Sequence, residues 1–320
     1  MVTTTILNKR QLAFLLIFCV VLLGCGSEPE AVPFAIVIET ETNRTLEHTL
    51  GTTEIPKEPL RVVALGEESL LLDLLDTGIK PIMTTVNVPG VVALVTPEEV
   101  EGIDQFSSTG NISLETVTTY SPDLIIASVF FADRAGYDQL NSIAPTVTVG
   151  GSLYQPYIDT MTIFGKQAKA EANVKTLEEQ IEAEATRLAT AGTSASIGTV
   201  YAGESIALFF EDRSGPPTML NQLGVTLLPT EESRGNLRIR FGRAYISKER
   251  LDLISEERLI LLQNSSIDGE MEALEEVSQD PLWQRLPVVE AENITVLDRL
   301  GYPGFRGQQA LINDLLAALE

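Results

Sequence analysis

Residues Pro156–Ala191, PYIDTMTIFGKQAKAEANVKTLEEQIEAEATRLATA, decide the fold. Ile158, Met161, Ile163, Phe164, Ala168, Ala172, Val174, Leu177, Ile181, Ala185 and Leu188 recur near helical spacing, with Lys and Glu between them and no internal proline. One helix of about 35 residues is predicted, a rod of roughly 50 Å at 1.5 Å rise per residue. Few helices inside one domain need that length, so this one is expected to join two bodies.

Working outward, both flanks alternate short β-branched runs with helical patterns. On the amino-terminal side Leu60–Leu65 (LRVVAL), Pro81–Val86, Leu124–Val129 (LIIASV) and Thr146–Val149 read as strands, and Ser69–Asp76 (SLLLDLLD) as a buried helix. Helices are expected near Leu114–Thr119 and Arg134–Ile143. On the carboxyl-terminal side strands are expected at Ile197–Tyr201, Ile206–Phe210, Val225–Leu228, Leu259–Leu262 and Ile294–Leu297. Helices fall between them at Thr218–Leu223, Lys248–Ile254, Met271–Val277 and Pro281–Leu286, and a last helix spans Gln308–Leu319. This alternation is the signature of mainly parallel α/β sheets. The predicted class is α/β, two lobes joined by one long rigid helix. The expected divisions are an export segment at 1–25, a tether and hairpin at 26–58, a first lobe at 59–153, the connector at 154–192 and a second lobe at 193–320.

The amino terminus carries its own signal. Lys9-Arg10 precedes the apolar run Leu12–Leu23, which is too short to span a bilayer, a task for roughly 20 apolar residues. Leu22-Leu23-Gly24-Cys25 follows and resembles the bacterial lipobox, in which Cys25 takes the lipid. Cleavage before Cys25 would also remove Cys19 and leave neither a free thiol nor a disulfide. The chain would then be anchored to the periplasmic or cell-surface face of the cytoplasmic membrane rather than spanning it. Lys and Arg total 22 against 45 Asp and Glu, a net charge of −23 that becomes −25 once Lys9 and Arg10 are removed. Such a surface repels phosphate backbones, so nucleic acid is excluded as a partner. One histidine, His48, rules out multi-His metal centres and most histidine-based triads, and its place before the first sheet strand favours a structural role. No GxGxxG, Walker, HExxH or GxSxG pattern occurs, and no cofactor is expected.

Four stretches resemble the substrate-binding lipoproteins of ABC importers for ferric siderophores and vitamin B12: His48-Thr49-Leu50-Gly51 through Pro59-Leu60-Arg61-Val62-Val63; Leu114-Glu115 through Ser121-Pro122-Asp123-Leu124-Ile125-Ile126; Ile143-Ala144-Pro145-Thr146-Val147; and Phe164-Gly165-Lys166 with Lys169-Ala170-Glu171. Their order and spacing cover about residues 45–320. The resemblance implies two lobes on a rigid helical connector, a ligand held between them, and little movement on binding. It also implies one glutamate on each lobe that docks on permease arginines. Glu115 matches the first and Glu249, in Ile246-Ser247-Lys248-Glu249-Arg250-Leu251, the second. The partners it implies are a ferric siderophore and the permease with its ATPase, with the protein acting as a monomer and not as an enzyme.

In open α/β sheets ligands sit beyond the carboxyl ends of the strands. By that rule the ligand-binding candidates are Arg134 and Tyr154 in the first half and Arg213, Arg238, Arg240, Arg243, Tyr302 and Arg306 in the second, with Glu67, Glu68, Phe130 and Phe131 also at strand ends. Ser233–Arg243 (SRGNLRIRFGR) concentrates four arginines in an acidic chain, and an extended Leu237–Phe241 would put Arg238 and Arg240 on one face. Guanidinium groups suit a citrate- or hydroxamate-type anionic iron chelate. Trp283 is expected to pack a short helix into the second lobe. Cobalamin or haem binding in the same fold, and a lipid-anchored hydrolase, are the alternative readings.

Overall fold

The computed structural model describes residues 34–320 apart from 111, 202–204, 211–214, 241, 256 and 299–300. Cys25 and the rest of the export segment lie outside the described residues, as does Arg213. Among the described residues the strands form three sheets. The first is antiparallel: β1 (Ala35–Glu39), β2 (Asn43–His48) and β3 (Gly51–Pro56). The hairpin expected at 35–51 is therefore part of a three-stranded sheet. His48 pins that sheet to the next, its Nδ1 lying 2.8 Å from Thr148 Oγ1 and its Nε2 3.0 Å from Thr53 Oγ1.

The second sheet is wholly parallel: β4 (Val62–Leu65), β5 (Met83–Val86), β6 (Asp104–Ser107), β7 (Leu124–Ser128) and β8 (Thr146–Val149), in the order β6-β5-β4-β7-β8. Every residue of β4, β5 and β8 is buried, which is why their sequences are continuous apolar and β-branched runs rather than alternating ones. The strand order reverses at β4, so a crevice is expected at its carboxyl end. Helix α1 (Glu68–Asp76) leaves that end.

The third sheet comprises β9 (Ser194–Tyr201), β10 (Ser205–Phe209), β11 (Thr226–Leu227), β12 (Arg243–Ile246), β13 (Leu259–Gln263) and β14 (Ile294–Asp298). Its main order is β12-β10-β9-β13-β14, with β13 parallel to β9 and β14, and β10 antiparallel to both neighbours. Trp283 is buried in the core beneath it with Val200, Leu261 and Val277.

The connector differs from the single rod expected. It is two helices, α2 (Gln155–Ile163) and α3 (Gln167–Ala191), and the 25 residues of α3 span about 37 Å. Gly165 causes the break. It adopts φ +69°, its N–H donates to Thr162 O at 2.9 Å, and the Lys166 N–H reaches back to Met161 O at 2.9 Å. Those two bonds are the Schellman closure of a helix end, which a left-handed glycine permits. Helix α2 serves both lobes: Ile163 packs with Leu46 and Val62, whereas Tyr157 and Met161 pack with Ile197 and Leu311. The final helix, α4 (Gly304–Leu319), lies against α1.

Candidate functional site

The carboxyl ends of both parallel strand sets open onto one cleft of about 1090 Å³. That is at or above the roughly 300–1,000 Å³ usual for small-molecule sites. The first wall is Glu67 to Ser69 after β4, Asn87 and Val88 after β5, and Gly151 and Ser152 after β8. The second is Gln263 at the end of β13 and Asn264 after it, with Tyr302 and Phe305 following β14.

Each side chain is held by local structure. Glu67 has extended backbone at the amino end of α1 but does not cap it, so its exposed carboxylate is left facing the cleft. Glu68 is buried and accepts from Asn87 N at 2.5 Å and Asn87 Nδ2 at 2.7 Å. Asn87 Oδ1 in turn accepts from Ser108 Oγ at 2.8 Å. Asp73, on the same helix, accepts from Phe305 N at 3.2 Å, and burial pushes its carboxyl up to about 7. This contact requires Gly304, which has φ +65°. A Cβ there would lie 2.8 Å from Asp73 Oδ1 and 3.1 Å from Ser69 O.

On the second wall Gln263 is buried, accepts from Val200 N at 2.8 Å and donates to Glu270 O at 2.8 Å. Glu270 Oε2 accepts from Asn264 N at 2.8 Å, and Asn264 Oδ1 accepts from Ser266 N at 2.7 Å. The aromatic floor is Phe305 stacked on Tyr157, centroids 4.3 Å apart and planes at 12°. Tyr302 donates its hydroxyl to Asp314 at 2.9 Å. A recess of about 350 Å³ shares Glu67, Ser69 and Asp73 with the cleft and is edged by Phe130, which is 66% exposed. Neutral amides, aromatic faces and carboxylates together make a surface that holds a large ligand by shape and hydrogen bonding. Among the described residues no group of three or more His, Cys, Asp or Glu is placed to hold a bare metal ion.

Of the residues singled out in the sequence, Tyr302, Glu67 and Glu68 line the cleft. Tyr154 faces a separate groove along α3 and meets Phe305 edge-on at 6.1 Å. Arg306 is engaged away from the cleft, on Asp76 at 2.6 Å, Glu99 at 2.9 Å and Leu94 O at 2.9 Å. Arg134 donates to Gly110 O at 2.7 Å and lies over the Phe131 ring at 5.1 Å. Arg243 lies over Phe209 at 5.0 Å and donates to Tyr201 Oη at 3.0 Å. Arg238 and Arg240 are exposed and do not line the cleft. Arg240 and Arg243 bond each other's backbones, and Gly242 beside Arg243 has φ +73°. Among the described lining residues there is no arginine or lysine. Glu115 and Glu249 are both exposed, each in the first turn of a short helix, Leu114–Thr119 and the 3₁₀ segment Lys248–Leu253. Asn87, Gln263, Asn264 and Glu270 were missed, although the first three directly follow runs read as strands and the strand-end rule reaches them.

Three comparisons bear on this geometry. The family model described as periplasmic binding protein matches residues 67–299. A putative ABC transporter substrate-binding lipoprotein of Bacillus subtilis (strain 168), YhfQ, is 25% identical over 284 residues, 84% of this chain and 86% of that protein. The probable siderophore-binding lipoprotein YfiY of the same organism is 28% identical over 225 residues, 68% of this chain and 67% of that protein. Among solved structures, the siderophore periplasmic binding protein from the fuscachelin gene cluster of Thermobifida fusca superposes with TM-score 0.66 at 23% identity, covering 82% of this chain and 97% of that one.

Proposed function

The chain belongs to the periplasmic binding protein family, and from that premise we propose that it is the extracytoplasmic substrate-binding lipoprotein of an ABC importer whose ligand is a ferric siderophore. The observation that carries this reading is the cleft: 1090 Å³ at the carboxyl ends of two sheets, large enough for a whole metal chelate. The names of YhfQ and YfiY, a substrate-binding and a siderophore-binding lipoprotein, support it. Iron would arrive inside its chelate and leave unchanged, with no chemistry performed on it. Lipid on Cys25 would hold the monomer at the membrane, and Glu115 and Glu249 would dock it on the permease.

The test is a binding titration of the full-length protein against ferric dicitrate, a ferric trihydroxamate, a ferric tris-catecholate, cobalamin and haem, read by intrinsic fluorescence. Tyr157 and Tyr302 at the cleft wall make tyrosine emission a reporter of occupancy. Quenching by a ferric chelate at micromolar or lower concentration is expected. Binding of cobalamin or haem in place of every ferric chelate would overturn the proposal.

A further inference from the structure

We infer that the cleft selects ferric chelates of zero or positive net charge, a trihydroxamate carrying a protonated amine above all, and that Glu67 and Glu270 set this preference; the inference rests on reading the cleft as a siderophore site. The first ground is the charge of the lining. The described walls carry Glu67, Glu68 and Glu270, with Asp73 held towards its neutral form by burial, and no Lys or Arg. Arg306, adjacent to Phe305 in the chain, does not compensate, because Asp76 and Glu99 both hold it.

The second ground is the kind of donor on offer. Asn264 is 95% buried at the cleft wall. Its Oδ1 accepts from Ser266 N, while its Nδ2 has no partner among the described residues. A neutral amide of this sort suits a hydroxamate or amide carbonyl oxygen, and it supplies no positive charge to offset a carboxylate or catecholate. The third is the state of the carboxylates. Glu68 already takes two donors from Asn87 and Glu270 one from Asn264 N, whereas the Glu67 carboxylate has no hydrogen-bond or ion-pair partner among the described residues and lines the recess edged by the exposed Phe130 ring.

Chelate chemistry turns these observations into selectivity. Three hydroxamates, each singly negative, cancel the charge of ferric iron, and a protonated amine on the same ligand leaves one positive charge. A tris-catecholate carries three negative charges, and citrate chelates also remain anionic. Drawing such an anion against Glu67 and Glu270 in a partly desolvated cleft is opposed by like-charge repulsion, whereas an ammonium group gains a carboxylate.

The experiment isolates charge by using one chelate in two forms. The full-length protein is dialysed against iron-labelled linear trihydroxamate bearing a free amine, the same compound N-acetylated, a tris-catecholate and ferric dicitrate. The amine form should bind about tenfold tighter than the acetylated form, with both anionic chelates weaker still. E67Q and E270Q should each narrow the difference between amine and acetyl forms by about threefold or more while the thermal midpoint stays put. Equal or tighter binding of the acetylated form, or tightest binding of an anionic chelate, overturns the charge assignment and leaves the siderophore reading standing. Failure of the folded protein to bind any of the four overturns that reading, and this inference with it.

Discussion

Three buried ionisable residues act on stability, one histidine against two aspartates. His48 is held to about 4 by burial, with its ring nitrogens facing threonine hydroxyls and Tyr137 nearby. Its folded value lies below its ordinary one, so the unfolded chain binds more protons between about pH 4 and 6.5, and the stability it contributes is lost as pH falls through that window. Asp73 is raised to about 7 by burial, with Asp159 raised to about 6 for the same reason. Here the folded state binds more protons, so stability is fully present below the ordinary aspartate value and is lost as pH rises towards 7. Each shift is worth on the order of 3 kcal/mol. With two aspartates set against one histidine, wild-type stability should fall by about 3 kcal/mol as pH rises from 4 to 6.5 and change little above 7. D73N, whose amide oxygen can still accept from Phe305 N, should be more stable than wild type at pH 8 and should lack most of the stability that wild type gains as pH falls from 6.5 to 4, because His48 and Asp159 then offset each other. Urea denaturation across that range checks it, and an unchanged profile in D73N would refute the assignment.

At the scale of elements, what was legible in the sequence is what burial writes there. Strands β4, β7 and β13 fall on the runs that mark them, because a strand covered on both faces is apolar nearly throughout, and β8 and β14 fall on β-branched runs. The connector was legible as helical but not as broken, since one left-handed glycine reads as tolerable until the closure around Gly165 is seen. Within Ser233–Arg243, alternation does not reveal the backbone pairing of Arg240 with Arg243, beside which Gly242 takes φ +73°. Arg306 shows how an element-level role escapes the sequence. It sits 230 residues from Asp76 in the chain, yet it ties α4 to α1 and, through Glu99 and Leu94 O, to the loop beyond β5. With all three side chains partly buried, R306A leaves Asp76 and Glu99 uncompensated and should cost about 2 kcal/mol of stability. R306K, which keeps the charge but not the fork, should fall between the two. A wild-type urea midpoint in R306A would sink this role.

For the whole molecule the decisive quantity is where charge lies. The sequence average, −23, is legible at once, but its distribution is not, because a cleft collects residues from strand ends far apart in the chain. The strand-end rule located Glu67, Glu68 and Tyr302. It could not tell which arginines would be taken up elsewhere by Phe209, Phe131 or Asp76. The same distribution frames the docking proposal. Glu115 carries no ion pair among the described residues, and Glu249 is held below the usual carboxylate range first by the Ser247 hydroxyl. Two exposed carboxylates on separate lobes are suited to register an acidic body on a basic permease face through complementary charge, which sets orientation and encounter rate more than ligand affinity. Charge reversal at either, E115R or E249R, should therefore abolish accumulation of chelate-borne iron by cells while the purified variants bind the same chelate within about twofold of wild type. Neutral E115Q and E249Q should fall between. Loss of chelate affinity in the reversed variants would move these glutamates from the permease face to the cleft, and full uptake in the double reversal would remove them from docking altogether.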